Sequence, residues 1–400
     1  MPFDRRSLRR VRRGAFVAAV AALTLAPHST YADQAPLRIG LIFSYSGSGA
    51  SAAGKNFDGG WLAYMKQHGD TVAGRKIEII KRDDTGIAPE TARRLAQELI
   101  VQDHVDIIAG MTFTPNSIAV GTISTQAKKL FFIVNSATSG IIAKVPYAAR
   151  FGFTTAQMTA PLATWAAKNG IKTAYSVFQD YGPGIDAGTQ FAESFTAAGG
   201  KMLGEVRVPV TNSDFTAYVQ RVKDAKPDAI YVFLNAGGGG AAMLKACRDA
   251  GFERAGIRIL VSGDVVAENN LPGIGDAALG VVSSFNYSMT HDSKLNRDFV
   301  AAYQSVEPGV DPDFTSVAAY DTMAAIYKAA EAQKGNLDPD KTIELVRAMK
   351  FESPRGPIAI DPDTRDLIQN VYIRKTERRN GKLVNVEFAT VPMVRDPKER

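Results

Sequence analysis

The chain has 400 residues, 45% of them hydrophobic and 22% charged, with 47 basic and 41 acidic residues and a formal net charge of +6. Six arginines and one acid fall in residues 1–32, so the 368 residues that follow carry 41 basic against 40 acidic groups and are close to neutral. That balance excludes a global electrostatic case for nucleic acid or an anionic membrane as partner, and a single cysteine, Cys247, excludes an intrachain disulfide.

The first 32 residues read as an export signal. Arg5, Arg6, Arg9, Arg10, Arg12 and Arg13 precede an apolar run from Ala15 to Pro27, and Thr30 and Ala32 are the small residues of a cleavage site after Ala32. The apolar run is shorter than the roughly 20 residues that cross a bilayer. A retained membrane anchor is the alternative. No cofactor motif calls for folding before export, so the general secretory route is expected rather than the twin-arginine one, despite Arg12-Arg13.

From the mature start, apolar β-rich runs alternate with helical patterns. Strands are expected over 38–44, 76–82, 106–110, 130–135, 173–179, 204–208, 229–234, 258–261 and 280–285. The clearest helix is Pro89–Gln102, with Leu95, Leu99 and Ile100 on one face and Glu90, Arg94 and Glu98 on another. Nearly all-apolar strands, each followed by a helix, imply parallel sheets covered on both faces. The pattern runs twice, from Leu37 and again from near Thr173, with Phe151–Gln157 between the cycles. The expected fold is therefore α/β: two doubly wound parallel-sheet lobes with a ligand cleft beyond the carboxyl ends of the strands.

Familiar catalytic motifs are missing. There is no G-x-S-x-G elbow and no phosphate-binding G-x-x-x-x-G-K-[ST] loop. Gly47-Ser48-Gly49 lacks the third glycine of a dinucleotide fingerprint, and Gly237–Gly240 can be a phosphate cradle or simply a tight turn. His68, His104 and His291 have no metal-ligand spacing, and Cys247 reads as a packed small hydrophobe on a helix. Binding is expected rather than turnover, with no catalytic residue, metal or cofactor.

The binding chemistry lies at the strand ends. The turn after the expected strand over 106–110 contains Thr112, Thr114 and Pro115, with Thr114 fitting a helix N-cap and Pro115 the first helical position. Such a helix start suits a carboxylate. The next turn, Asn135-Ser136-Ala137-Thr138, brings a second set of hydroxyls beside it. These hydroxyls can equally do no more than cap their own helices. In the second cycle, Tyr181 can stack on an apolar ligand body, Asn235 ends another strand, and Asp264 can pair with a ligand ammonium, accept from a ligand hydroxyl, or cap a helix.

At these residues the chain resembles the leucine/isoleucine/valine-binding family of periplasmic solute receptors for ABC transporters. The resemblance is carried by Ile39 to Gly47, Lys81 to Asp84, Gly110 to Ser117, Asn135 to Thr138, Tyr181-Gly182, Lys226 to Phe233, Gly275 to Gly280, Ala319-Tyr-Asp321 and Arg355-Gly-Pro357. It implies a three-strand hinge with the third crossing near Ser353–Gly356. Lobe one would be 33–155 plus 286–352, and lobe two 156–285 plus 353–400. It implies that Thr114, with Thr112 as fallback, and Ser136, Ala137 and Thr138 take the ligand carboxylate. Tyr45 and Tyr181 would form apolar walls, and Asp264 and Asn235 would read the distal end. Phe233 to Gly238 and Ser353 to Gly356 look closer to the branch that binds aromatic acids, so the expected ligand is an aromatic acid or a branched or aromatic amino acid. The resemblance further implies a soluble periplasmic carrier that hands its ligand to an inner-membrane ABC permease, and nothing in the sequence requires more than a monomer. The rival readings are a ligand sensor for a regulator or chemoreceptor, and an α/β enzyme with an unrecognised site.

Overall fold

The computed structural model describes residues 34–47, 50–235 and 238–399. The export signal and its cleavage site, and Ser48, Gly49, Ala236 and Gly237 of the two glycine runs, lie outside the described residues. In chain order the first elements are β1 (Gln34–Phe43), α1 (Ala50–His68), β2 (Thr71–Val72), β3 (Arg75–Asp83), α2 (Pro89–Val101), β4 (Ile107–Gly110), α3 (Thr114–Ala127), β5 (Leu130–Ile133) and β6 (Ala148–Arg150). They build a six-stranded sheet in the order β2-β3-β1-β4-β5-β6, parallel except for the β2/β3 hairpin.

The chain then crosses to a second sheet through α4 (Thr155–Lys168), β7 (Thr173–Gln179), α5 (Gly182–Ala197), β8 (Lys201–Val208), α6 (Thr216–Ala225), β9 (Ala229–Phe233), α7 (Gly238–Asp249), β10 (Arg258–Ser262), α8 (Leu271–Ile274) and β11 (Val282–Phe285). It returns to the first sheet with α9 (Lys294–Val306), α10 (Phe314–Ala332) and α11 (Pro339–Arg347). It ends in β12 (Lys350–Ser353), β13 (Gly356–Ile360), β14 (Leu367–Arg379) and β15 (Lys382–Val394). The second sheet has nine strands, ordered β12-β13-β14-β11-β10-β9-β7-β8, with β15 paired to β14. Strands β7 to β11 are parallel, as their apolar character requires. The strands β12 to β15, which the sequence reading did not resolve, add an antiparallel half.

Each sheet is covered on both faces. In the first, α1, α9 and α10 bury Leu37, Ile39, Leu41, Phe57 and Tyr320 on one side, where Phe43 and Phe57 stack with centroids 4.4 Å apart. Helices α2 and α3 bury Leu95, Leu99, Val120 and Ile123 on the other. In the second, α6 and α7 cover one face, and α4 and α5 cover the opposite one. Cys247 is fully buried in the first of these clusters, and burial pushes its thiol up to about 12, which removes it as a nucleophile.

A buried polar network joins the segments that pass between the sheets. Arg355 donates to Asp321, to Gln369 Oε1 and to the Phe151 carbonyl. Gln369 in turn donates to the Gly152 carbonyl and to Gln157 Oε1, and accepts from Asn286. One network therefore touches the passage after β6, the one after β11, and the β12/β13 turn.

Candidate functional site

The first-lobe turns start from a close approach of two backbones. β4 ends at Gly110, with φ of 122°, where an added Cβ would lie 2.2 Å from the Ile42 carbonyl oxygen; only glycine fits. The chain then carries Thr112 to the end of β1, where its Oγ1 accepts the Ser44 N–H at 3.2 Å. Helix α3 begins at Thr114, one residue earlier than the expected cap would place it. Its N-cap is Phe113, which is extended and has no side chain able to accept, and Pro115 is the second helical residue. The first-turn N–H groups of α3 thus have no side-chain cap, and the Thr114 hydroxyl reaches sideways to Thr138 Oγ1, 3.0 Å away.

The neighbouring turn follows β5. Ser136 adopts φ of 60°, and its hydroxyl accepts from Ser117 Oγ at 2.7 Å. Three successive carbonyls of this turn are held. Fully buried Arg150 donates through Nη1 to the Ser136 oxygen at 3.0 Å and to the Thr138 oxygen at 2.9 Å. Its Nε is paired with Asp366 at 2.7 Å. Thr155, at the start of α4, donates its N–H and its hydroxyl to the Ala137 oxygen, at 2.8 and 3.0 Å. The N–H groups of Ala137 and Thr138 have no partner among the described residues. Two buried or half-buried amide donors beside two hydroxyls form a group that a small anion satisfies.

The second lobe faces this turn with the start of α5. Tyr181 is the N-cap of α5, its ring 6.3 Å from that of Phe233. Burial, then the charge of Asp264, pushes its phenol up. Asp264, just beyond β10, is 7% exposed, and its Oδ2 has no hydrogen-bond partner among the described residues. Burial pushes its carboxyl up to about 7, with Arg374 acting in the opposite direction. Asn235 gives its N–H to Gln179 Oε1 at 2.8 Å, which fastens the end of β9 to the end of β7.

The two lobes touch here. An added Cβ on Gly182 would lie 2.7 Å from Thr138 Oγ1, and the Ser139 N–H meets Asp186 Oδ2 at 3.0 Å. Below the contact, Ala137 packs with Phe153, Phe285 and Phe314, whose rings stand edge to face with centroids 4.8 to 5.7 Å apart.

The structure thus brings Thr114, Ser136, Ala137 and Thr138 together, turns the Thr112 hydroxyl to the Ser44 N–H, and places Tyr181 and Asp264 in electrostatic reach of each other. Tyr45 is held by partners within lobe one. Its hydroxyl donates to Asp58 Oδ1 at 2.9 Å, its N–H goes to Asp83, and Lys81 lies over its ring. Sequence reasoning missed Arg150 and Asp186. A lone charge in the apolar stretch Ala148-Ala149-Arg150-Phe151 was the signal for the first; Asp186 had none. Among the described residues no group of three or more His, Cys, Asp or Glu is placed to hold a metal ion, and no helix is long and apolar enough to cross a membrane.

Two α/β lobes with their strand ends facing one another define the type I binding-protein architecture. The chain belongs to the periplasmic binding protein family, whose model matches residues 36–382. It is 39% identical over 381 residues to Leu/Ile/Val-binding protein homolog 6 of Brucella melitensis, covering 95% of this chain and 97% of that one. It is 45% identical to a solute-binding protein of an ABC transporter from Rhodopseudomonas palustris BisB5 solved with 3,4-dihydroxybenzoic acid, with a TM-score of 0.87 over 91% of this chain and 99% of the other. A second such protein, from R. palustris HaA2 and solved with p-hydroxybenzoic acid, is 42% identical with a TM-score of 0.88 and the same coverage.

Proposed function

We propose that this protein is exported, loses residues 1–32, and captures a small aromatic carboxylate of the hydroxybenzoate class between its lobes for delivery to an inner-membrane ABC permease. In this reading lobe one comprises 33–155 and 286–352, and lobe two comprises 156–285 and 353–400. The carrying observation is the pair of N–H groups at Ala137 and Thr138, without a partner among the described residues, beside the Thr114–Thr138 hydroxyl pair. That arrangement suits a carboxylate, whose two oxygens offer about four acceptor sites, and the positive end of α3 adds to it.

Tyr181 and Tyr45 supply ring surface, Thr112 and Ser136 hold the turns, and Asn235 fixes the loop beside Tyr181. Asp264 takes the far end of the ligand, its unpartnered oxygen accepting a ring hydroxyl. A buried acceptor left unsatisfied penalises a ligand that lacks the donor, so hydroxylated benzoates are preferred over benzoate. The two R. palustris proteins solved with hydroxybenzoates support this reading. Lobe closure buries the ligand, and the closed form is what the permease meets. The protein acts as a monomer, without cofactor, and alters no bond in its ligand.

A thermal-shift panel of benzoates, branched amino acids and amides tests the reading, because a ligand that binds only the folded protein raises its melting temperature. Hydroxybenzoates are expected to raise it and to be recovered chemically unchanged. A shift from branched amino acids alone overturns the ligand class, and turnover of the ligand overturns the binding role.

A further inference from the structure

Asp186 stands in the second turn of α5, four residues after Gly182 and so on the same helix face. Gly182 abuts Thr138, and Asp186 meets Ser139, the next residue of the same first-lobe turn. The two carboxylate oxygens of Asp186 are used in different directions. Oδ2 accepts the Ser139 N–H from lobe one at 3.0 Å. Oδ1 accepts from Lys398 Nζ at 2.7 Å. Lys398 belongs to the short 3-10 helix Pro397–Glu399, which packs on α4 within lobe two. The Asp186 side chain is only 14% exposed.

The turn therefore has three consecutive N–H groups with two fates. Those of Ala137 and Thr138 have no partner among the described residues, and that of Ser139 is taken by a carboxylate from the opposite lobe. The Ser139–Asp186 bond spans the two lobes, so it exists only while they are together. It stabilises the closed state and leaves the open state unchanged, which is the condition for shifting the equilibrium between them. Lys398 holds the carboxylate in place from behind.

We propose that Asp186 is the closure latch of this protein: a positioning residue that touches no ligand and sets how long a ligand is retained, by bonding the Ser139 N–H across the cleft with Lys398 as its brace. The proposal rests on the ligand reading above only for the identity of the probe.

The test compares the wild-type protein with Asp186→Ala and Asp186→Asn, using 4-hydroxybenzoate as probe and amide hydrogen exchange at Ser139 as a ligand-free readout. Asp186→Ala is expected to accelerate dissociation about tenfold, the size of one charge-assisted hydrogen bond present in only one of two states, while association changes less than about twofold. Asp186→Asn keeps an acceptor and should recover most of the retention. Exchange at Ser139 should quicken by a similar factor in Asp186→Ala. Unchanged exchange overturns the latch whether or not any benzoate binds, and faster exchange with unchanged dissociation overturns its role in retention. A wild-type protein that ignores 4-hydroxybenzoate overturns the ligand reading, and the exchange measurement still decides the latch.

Discussion

Arg355 Nη2 and Nε lie 2.6 and 2.9 Å from the same oxygen of Asp321, and both side chains are wholly buried. The pair ties α10, packed on the first sheet, to the β12/β13 turn of the second. Ser353 adds a bond to Asp321 at 2.8 Å, and burial still pushes the Asp321 carboxyl up. Removing one partner leaves a buried charge without compensation. Asp321→Ala is expected to cost about 3–5 kcal/mol, and the double change Asp321→Ala with Arg355→Met considerably less. Urea unfolding of the three proteins measures this; equal losses in the single and double variants would contradict it.

The hydroxyl pair of the first-lobe turns makes a prediction about affinity rather than stability. Thr138→Ala and Thr114→Val each remove one hydroxyl of the 3.0 Å contact. Each should weaken binding of an aromatic carboxylate by about 1–3 kcal/mol, the loss of a hydrogen bond to a charged group. Calorimetric titration reads it, and unchanged affinity removes that residue from the site.

Asp264→Asn should act on selectivity. The carboxylate oxygen without a partner becomes an amide that accepts less strongly and also donates. Affinity for 4-hydroxybenzoate should fall about tenfold or more, while affinity for benzoate changes little, because only the former offers an O–H to this group. Equal loss for both ligands would show that Asp264 does not read the ring hydroxyl.

The same carboxyl gives a pH dependence with a definite sign. Its folded-state pKa is about 7, against an ordinary value of 3.8. Between those values the folded protein keeps a proton that the unfolded chain has lost, so Asp264 contributes stability at low pH that disappears as pH rises through about 7. Asp264→Asn cannot titrate. Relative to wild type it should therefore gain about 4 kcal/mol between pH 4 and pH 8. Melting temperatures of the two proteins across that range check this, and a constant gap contradicts it.

Much of the fold was legible because its strands are short apolar runs bounded by turn residues. The expected strand over 173–179 coincides with β7, and most others agree within a few residues. β14 and β15 were not legible, since Lys375, Glu377, Arg378 and Arg379 dilute the apolar alternation on a ribbon with one solvated face. At the site, strand ends were readable, and the structure brings Thr114, Ser136 and Thr138 together. What sequence could not show is which hydroxyl caps a helix. Phe113 stands at the N-cap of α3, and that frees Thr114 to reach Thr138. Asp186 was invisible for a related reason. Its partner across the lobes is a backbone N–H, and backbone donors carry no residue signature.

The cleft between the lobes is expected to take an aromatic carboxylate. Calorimetric titration of the purified protein with 4-hydroxybenzoate, benzoate and leucine tests it most directly. Saturable one-to-one binding of 4-hydroxybenzoate, weaker binding of benzoate, and no heat from leucine are expected. Saturable binding of leucine with none from either benzoate would contradict it.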